Sequence, residues 1–175
     1  EAGVPAGALA DLPGLGPVAG SALARHPRIR MISATASIAA GQDIIRNAAG
    51  NLKRVSLELG GHAPFIVTSD ADLVEAATAA HRRSFSNMGQ ICITVNRILV
   101  DKRVHAEFAE ILKNLADSTE LGNGLDAGVG YGPCLNQSVI DRVERHKNDA
   151  LKKGGELLSG GCRPGAYEFK RGYFY

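Results

Sequence analysis

The chain has 175 residues, 45% of them hydrophobic, with 20 Lys and Arg set against 18 Asp and Glu. That suffices to bury a sizeable core in one domain or in parts of two. The balanced, scattered charge lacks the basic stripe that nucleic acid or an anionic membrane would need as a partner, and no apolar run is long enough to span a bilayer.

The opening "EAGVPAGALADLPG" has neither the basic nor the apolar region of a signal peptide. It reads as the end of a helix without a start methionine, and the closing "KRGYFY" is an aromatic run with no partner after it. The expectation is a central piece of a longer protein. Cys92, Cys134 and Cys162 are an odd, widely spaced set, so a disulfide framework is not expected and a cytoplasmic, reducing setting is. No CxxC pair or His/Cys cluster points to a metal.

Along the chain, "GALADL" is expected as a short strand, followed by the Gly/Pro turn "PGLGP". "VAGSALARH" has helical spacing and stops at Pro27. "RIRMISA" alternates like a strand, "TASIAAGQDIIRNAAG" reads as a helix capped by Ser or Thr and stopped by Gly50, and "KRVSLEL" alternates again. This strand–helix–strand–helix–strand order predicts parallel strands with right-handed crossovers, part of a doubly wound sheet. After Gly60-Gly61 the pattern restarts, with a strand at "APFIVT", a helix with an acidic start at "DADLVEAATAAHRRSFSN" and a strand at "NRILVDK". "VHAEFAEILKNLADS" is amphipathic, with Val104, Phe108, Ile111, Leu112 and Leu115 on one face. A glycine-rich loop, a helix from "SVIDRV" to "LKKGG" and a short strand at "ELLSGG" complete the reading. The Gly60-Gly61 break is the expected domain boundary, dividing residues 1–60 from residues 61–175.

Three places could carry chemistry. "PGLGPVAG" sets Gly14, Gly16 and Gly20 between an expected strand and helix, where glycines admit a dinucleotide backbone and a helix N-terminus favours an anion; they could equally be turn formers. Ser37 starts the next helix and would serve there as an N-cap or an anion contact. In "LELGG", Glu58 closes an apolar alternating strand, the edge at which open α/β sheets bind ligands, and would suit a general base; the alternative is a solvated glutamate. Cys92 in "NMGQIC" lies between a long helix and a strand, with Gly89 allowing close approach of a second molecule. It could be a nucleophile or a packed structural thiol. Cys134 and Cys162 lie in loops without such surroundings and read as structural or incidental.

"SLELGG" followed by "SNMGQIC", with Glu58 and Cys92 34 residues apart, resembles the paired signatures of the aldehyde dehydrogenase superfamily in order and spacing. "EAGVPAGAL", "GPVAGSALARHP", "ISATASIAAG" and "GYFY" are similar to segments of that family in the same order. The resemblance implies the end of a Rossmann-type dinucleotide-binding domain (1–60) joined to the start of a second α/β domain bearing the cysteine (61–175). It implies oxidation of a small-molecule aldehyde with NAD or NADP, Cys92 as nucleophile and Glu58 as the base that activates water. It further implies Gly16, Pro17 and Gly20 near the adenosine, Ser37 at the pyrophosphate, Leu59 and Gly60 near the nicotinamide, and a homodimeric or homotetrameric parent.

The family's usual Phe-Thr-Gly-Ser is here Ala34-Thr35-Ala36-Ser37, so a methyl stands where a glycine usually admits the cofactor. The family's oxyanion asparagine and ribose-holding residues fall outside this sequence, so activity of these 175 residues alone is not expected. "QICITVNR" is similar to semialdehyde-oxidising members. Two rivals stand beside this reading: an acylating relative that passes the thioester to coenzyme A, which has no need of Glu58, and an inert fragment acting as an interaction module.

Overall fold

In the computed structural model, Met31–Ala36 (β1) and Arg54–Leu59 (β2) pair in parallel, in unbroken register from Met31 opposite Arg54 to Ala36 opposite Leu59. Residues 3–165, 169 and 171–175 are described. Parallel strands need a crossover element, supplied here by α2, Ile38–Ala48. Ser37 starts it, its hydroxyl accepting the Ala40 N–H at 3.2 Å. The helix ends in a tight turn over Ala49–Asn51, and the left-handed position belongs to Leu52 (φ +52°) rather than to the expected Gly50. Asn51 holds this corner by donating to the carbonyls of Pro27 and Ile29.

Upstream, a wide helical turn over Gly16–Gly20 runs into α1, Ser21–Arg25, which packs on α2. Asn47 of α2 receives a bond from Arg25 at 2.9 Å and donates to Ser21. Lys53 is buried, with its ammonium on the carbonyls of Ala24 (2.7 Å) and His26 (2.9 Å) at the end of α1. A cation there meets the negative end of the helix. The strand expected over "GALADL" does not form: residues 7–15 are exposed and irregular. Pro13 and Pro17 lack donors, and the segment pairs with no described strand.

In the second compact unit, Gly61–Tyr175, Ala63–Val67 (β3) and Val95–Val100 (β4) form another parallel pair, crossed by α3, Leu73–Phe85. The register slips between Ala63 and Pro64, where the proline has no N–H to give the ladder. Asp72 caps α3 by accepting from Val74 and Glu75, both at 3.0 Å. Val67, Ala77, Ala80 and Phe108 make the buried core. The paired alanines let α3 approach closely. Phe108, Ile111, Leu112 and Leu115 of α4, His105–Asp117, meet that core as their spacing predicts, while Val104 stands just ahead of the helix.

The glycine-rich loop is tied by a bridge between Leu121 and Tyr131. α5, Gln137–Lys152, follows, with Ile140 buried. "ELLSGG" is not a strand: it pairs with no described strand, and Gly160 and Gly161 both take positive φ. The whole is a mixed α/β fold of parallel pairs and crossover helices. No helix among the described residues is long and apolar enough to cross a membrane.

Candidate active site

β1 and β2 both end at one edge of their pair, and four of the singled-out residues gather there. Ser37 follows β1, Glu58 and Leu59 close β2, and Gly60 comes next. The carboxyl edge of a parallel pair, facing a helix N-terminus, is the usual ligand position in such sheets. Glu58 is exposed at that edge, although the residues on either side of it in the strand are apolar. Alternation along β2 puts Leu57 and Leu59 on the half-buried face and turns Glu58 outward.

Gly16, Pro17 and Gly20 lie on the exposed turn leading into α1. A methyl built on Gly16 or Gly20 would meet nothing within 4 Å. Open space on that face suits the approach of a ligand as well as a plain turn. Ala36 has no positive φ, so the backbone itself does not demand the family's glycine.

Cys92 is held very differently. Asn87, Met88 and Gly89 are consecutive left-handed residues, at φ +52°, +56° and +70°. Asparagine and glycine tolerate this; a methionine there costs about 1–2 kcal/mol. The Gln90 N–H closes the turn on the Asn87 carbonyl at 3.1 Å, and a second turn closes from the Thr94 N–H to the Ile91 carbonyl at 3.1 Å. Cys92 stands on this second turn, exposed, three residues before β4. Its backbone N–H has no hydrogen-bond partner among the described residues. The thiol and a free donor thus lie together on the surface of a fixed turn.

Gly89 has a different use from the one its sequence suggests. A Cβ there would lie 3.2 Å from the Ser84 carbonyl, in a left-handed residue, so the glycine serves the turn rather than a second molecule. Gly61, three residues after Glu58 in the chain, passes Cys92: its added Cβ would lie 3.7 Å from the Cys92 carbonyl oxygen. His62 and Asn96 bond side chain to side chain, tying the entry of β3 to β4.

Cys134 is buried, which pushes its thiol above the ordinary value, and Cys162 is exposed beside Arg163. A cavity of ≈ 670 Å³ elsewhere in this unit is lined by Ile98, Phe108, Leu112, Tyr131 and Leu158 among others, but not by Cys92.

Sequence reading missed the amide pair Asn87 and Gln90, each of whose side chains donates to the other's backbone carbonyl across the turn, at 3.1 and 3.0 Å. The only available signal was an Asn and a Gln three apart around a glycine.

Compared with known proteins, residues 1–175 match the Aldehyde dehydrogenase family throughout. The chain belongs to the aldehyde dehydrogenase family. It is 44% identical over 163 residues to a 3-sulfolactaldehyde dehydrogenase of Pseudomonas putida, covering 93% of this chain and 34% of that protein. It is 41% identical over 161 residues to the NADP(+) succinate-semialdehyde dehydrogenase GabD of Escherichia coli, covering 92% and 33%. Among solved structures, a betaine aldehyde dehydrogenase of Staphylococcus aureus in complex with NAD+ superposes with a TM-score of 0.89 at 32% identity, covering 93% of this chain and 32% of that one. The chain therefore spans about a third of the length of the aldehyde dehydrogenases it matches.

Proposed function

We propose that this chain carries the nucleophile, the water-activating base and part of the cofactor site of an NAD(P)+-dependent aldehyde dehydrogenase. The single observation that carries the proposal is the exposed Cys92 on a strained, doubly closed turn, with an unengaged backbone N–H at the same residue. Local strain of this kind persists where the surrounding structure over-determines it, and it concentrates at functional sites.

The Cys92 thiolate adds to the aldehyde carbon, forming a C–S bond and an oxyanion. The Cys92 N–H donates to that oxygen; one such donor is worth about 10²–10³ in rate. A bound NAD(P)+ would supply the hydride acceptor, and loss of hydride from the carbon would leave a thioester on Cys92. Glu58 then takes a proton from water, the water oxygen attacks the thioester carbon, and the C–S bond breaks. The acid departs and Cys92 returns as thiolate. A solvent-exposed Glu58 on a strand edge suits this base role because it must exchange its proton with water after each cycle.

The residues present fit a dinucleotide. Ser37 and the open N-terminus of α2 offer hydroxyl and amide donors to a pyrophosphate at the carboxyl edge of β1 and β2, Leu59 and Gly60 would border the nicotinamide, and the bare turn at Gly16, Pro17 and Gly20 would border the adenosine. Relatives named for NADP(+) and for NAD+ both resemble the chain, so either cofactor is consistent with it. Short-chain semialdehydes are the proposed substrate class, supported by the names of several relatives. A cytoplasmic site suits the three free thiols.

The test is Cys92→Ala in the whole protein that carries this chain. NAD(P)H production from aldehyde should vanish while cofactor affinity stays within about threefold. Retained turnover would overturn the reading.

A further inference from the structure

We propose that Gln90 is the positioning residue for Cys92, acting as a strut between the strained turn and an anchored segment 45 residues away. The proposal rests on Cys92 being the nucleophile.

The need for a strut follows from the turn itself. Three consecutive left-handed residues precede Gln90, and two of them are not glycine. Such a backbone relaxes unless something holds it. Burial holds it only in part: Met88 and Gly89 are half-buried, but Asn87, Ile91, Cys92 and Ile93 are all exposed. Two buried hydroxyls beneath the turn, on Ser84 and Thr94, have no partner among the described residues, so the underside contributes no polar tie through them.

The half-buried Gln90 supplies what is missing. Its Nε2 donates to the Asn87 carbonyl at 3.0 Å and Asn87 Nδ2 donates back to the Gln90 carbonyl at 3.1 Å, which locks the turn internally. Its Oε1 accepts the Leu135 N–H at 2.8 Å, which locks the turn to the rest of the unit.

Leu135 is a firm partner. The preceding residue, Cys134, is buried and its N–H is bonded to the Tyr173 carbonyl at 2.9 Å. One helical turn of α5 later, Ile140 is buried as well. The strut therefore runs from a turn whose reactive end, Ile91 to Ile93, is exposed to a segment fixed on both sides. Because only Ile91 separates Gln90 from Cys92, movement of the amide carries the thiol with it.

The test compares Gln90→Leu, Gln90→Glu and Cys92→Ala in the whole protein. Leucine removes both amide bonds. Glutamate keeps an acceptor for the Leu135 N–H and loses only the donor to Asn87. A displacement of about 1 Å at a reacting atom costs up to about 10²-fold, so Gln90→Leu should lower kcat about 10- to 100-fold. It should slow alkylation of Cys92 by iodoacetamide in step, with KM for NAD(P)+ unchanged. Gln90→Glu, read at the alkaline plateau of its pH profile so that the effect of the added charge on thiolate formation is not counted, should stay within about fivefold of the unaltered protein. A purely structural role would lower stability and leave kcat per folded molecule and the alkylation rate alone; that result overturns the proposal, as does a tenfold or greater loss in Gln90→Glu. If Gln90→Leu does not fold, the glutamate variant decides by the same limits. Should Cys92→Ala retain activity, the reading of the nucleophile fails; a dead Cys92→Ala beside a fully active Gln90→Leu sinks the strut alone.

Discussion

Gly41 of α2 lies so close to Leu59 of β2 that a methyl group on the glycine would stand 2.8 Å from both Leu59 methyls. The helix and the strand end can approach this closely only because that position has no side chain. Gly41→Ala would gain about 1 kcal/mol of helix propensity and lose about 1–3 kcal/mol to overpacking. Net destabilisation is expected, with a raised KM for NAD(P)+ as Leu59 is pushed aside. In a Leu59→Ala background the same change should turn stabilising. Chemical denaturation of the four proteins checks this, and a stabilising effect in both backgrounds would show that the contact does not matter.

Lys53 secures the end of α1 through the carbonyls of Ala24 and His26. Lys53→Met keeps most of the apolar volume and leaves those acceptors unpaired, at a cost of about 1–3 kcal/mol. The denaturation midpoint should fall accordingly, and an unchanged midpoint would show that water replaces the ammonium at no cost.

His81 is half-buried against Phe85 and Tyr131, with Nε2 2.9 Å from the Thr119 hydroxyl. Burial lowers its pKa below the ordinary 6.5. The unfolded chain then takes up the proton first, so this contribution to stability is complete above pH 6.5 and is lost as pH falls through the lowered value. Thermal unfolding between pH 7.5 and 5 should show this loss, and His81→Phe should flatten it. An equal slope in both proteins would remove His81 from the account.

If Glu58 is the deacylating base, Glu58→Gln should still deliver one turnover of NAD(P)H and then stall with a thioester on Cys92, because attack and hydride transfer precede the need for activated water. Stopped-flow absorbance gives the burst and mass spectrometry gives the adduct. Unchanged steady-state turnover would end the assignment.

Thiol labelling should follow exposure and thiolate character. Cys134, buried and with a raised pKa, should react last. Cys92 and Cys162 are both exposed, but activity should decay only with the label on Cys92. Loss of activity tracking Cys162 would move the nucleophile.

How much of this was legible beforehand differs from element to element. The helix α4 and its apolar face were readable because Phe108, Ile111, Leu112 and Leu115 recur at the helical period and nothing distant contradicts them. Both βαβ units were readable for the same local reason, and the paired motifs around Glu58 and Cys92 pointed to the family. The expected strands over "GALADL" and "ELLSGG" failed because strand formation needs a neighbouring edge, which no single segment can announce. Sequence by itself thus determined the α/β class, the crossover helices and the family. Only the tertiary structure decided that Glu58 faces outward, that Gly41 gives way to Leu59, and that Gln90 reaches Leu135 across 45 positions. The physical reason is range: propensity and periodicity act within a few residues, whereas exposure, close approach and a strut between loops depend on what the rest of the chain brings alongside.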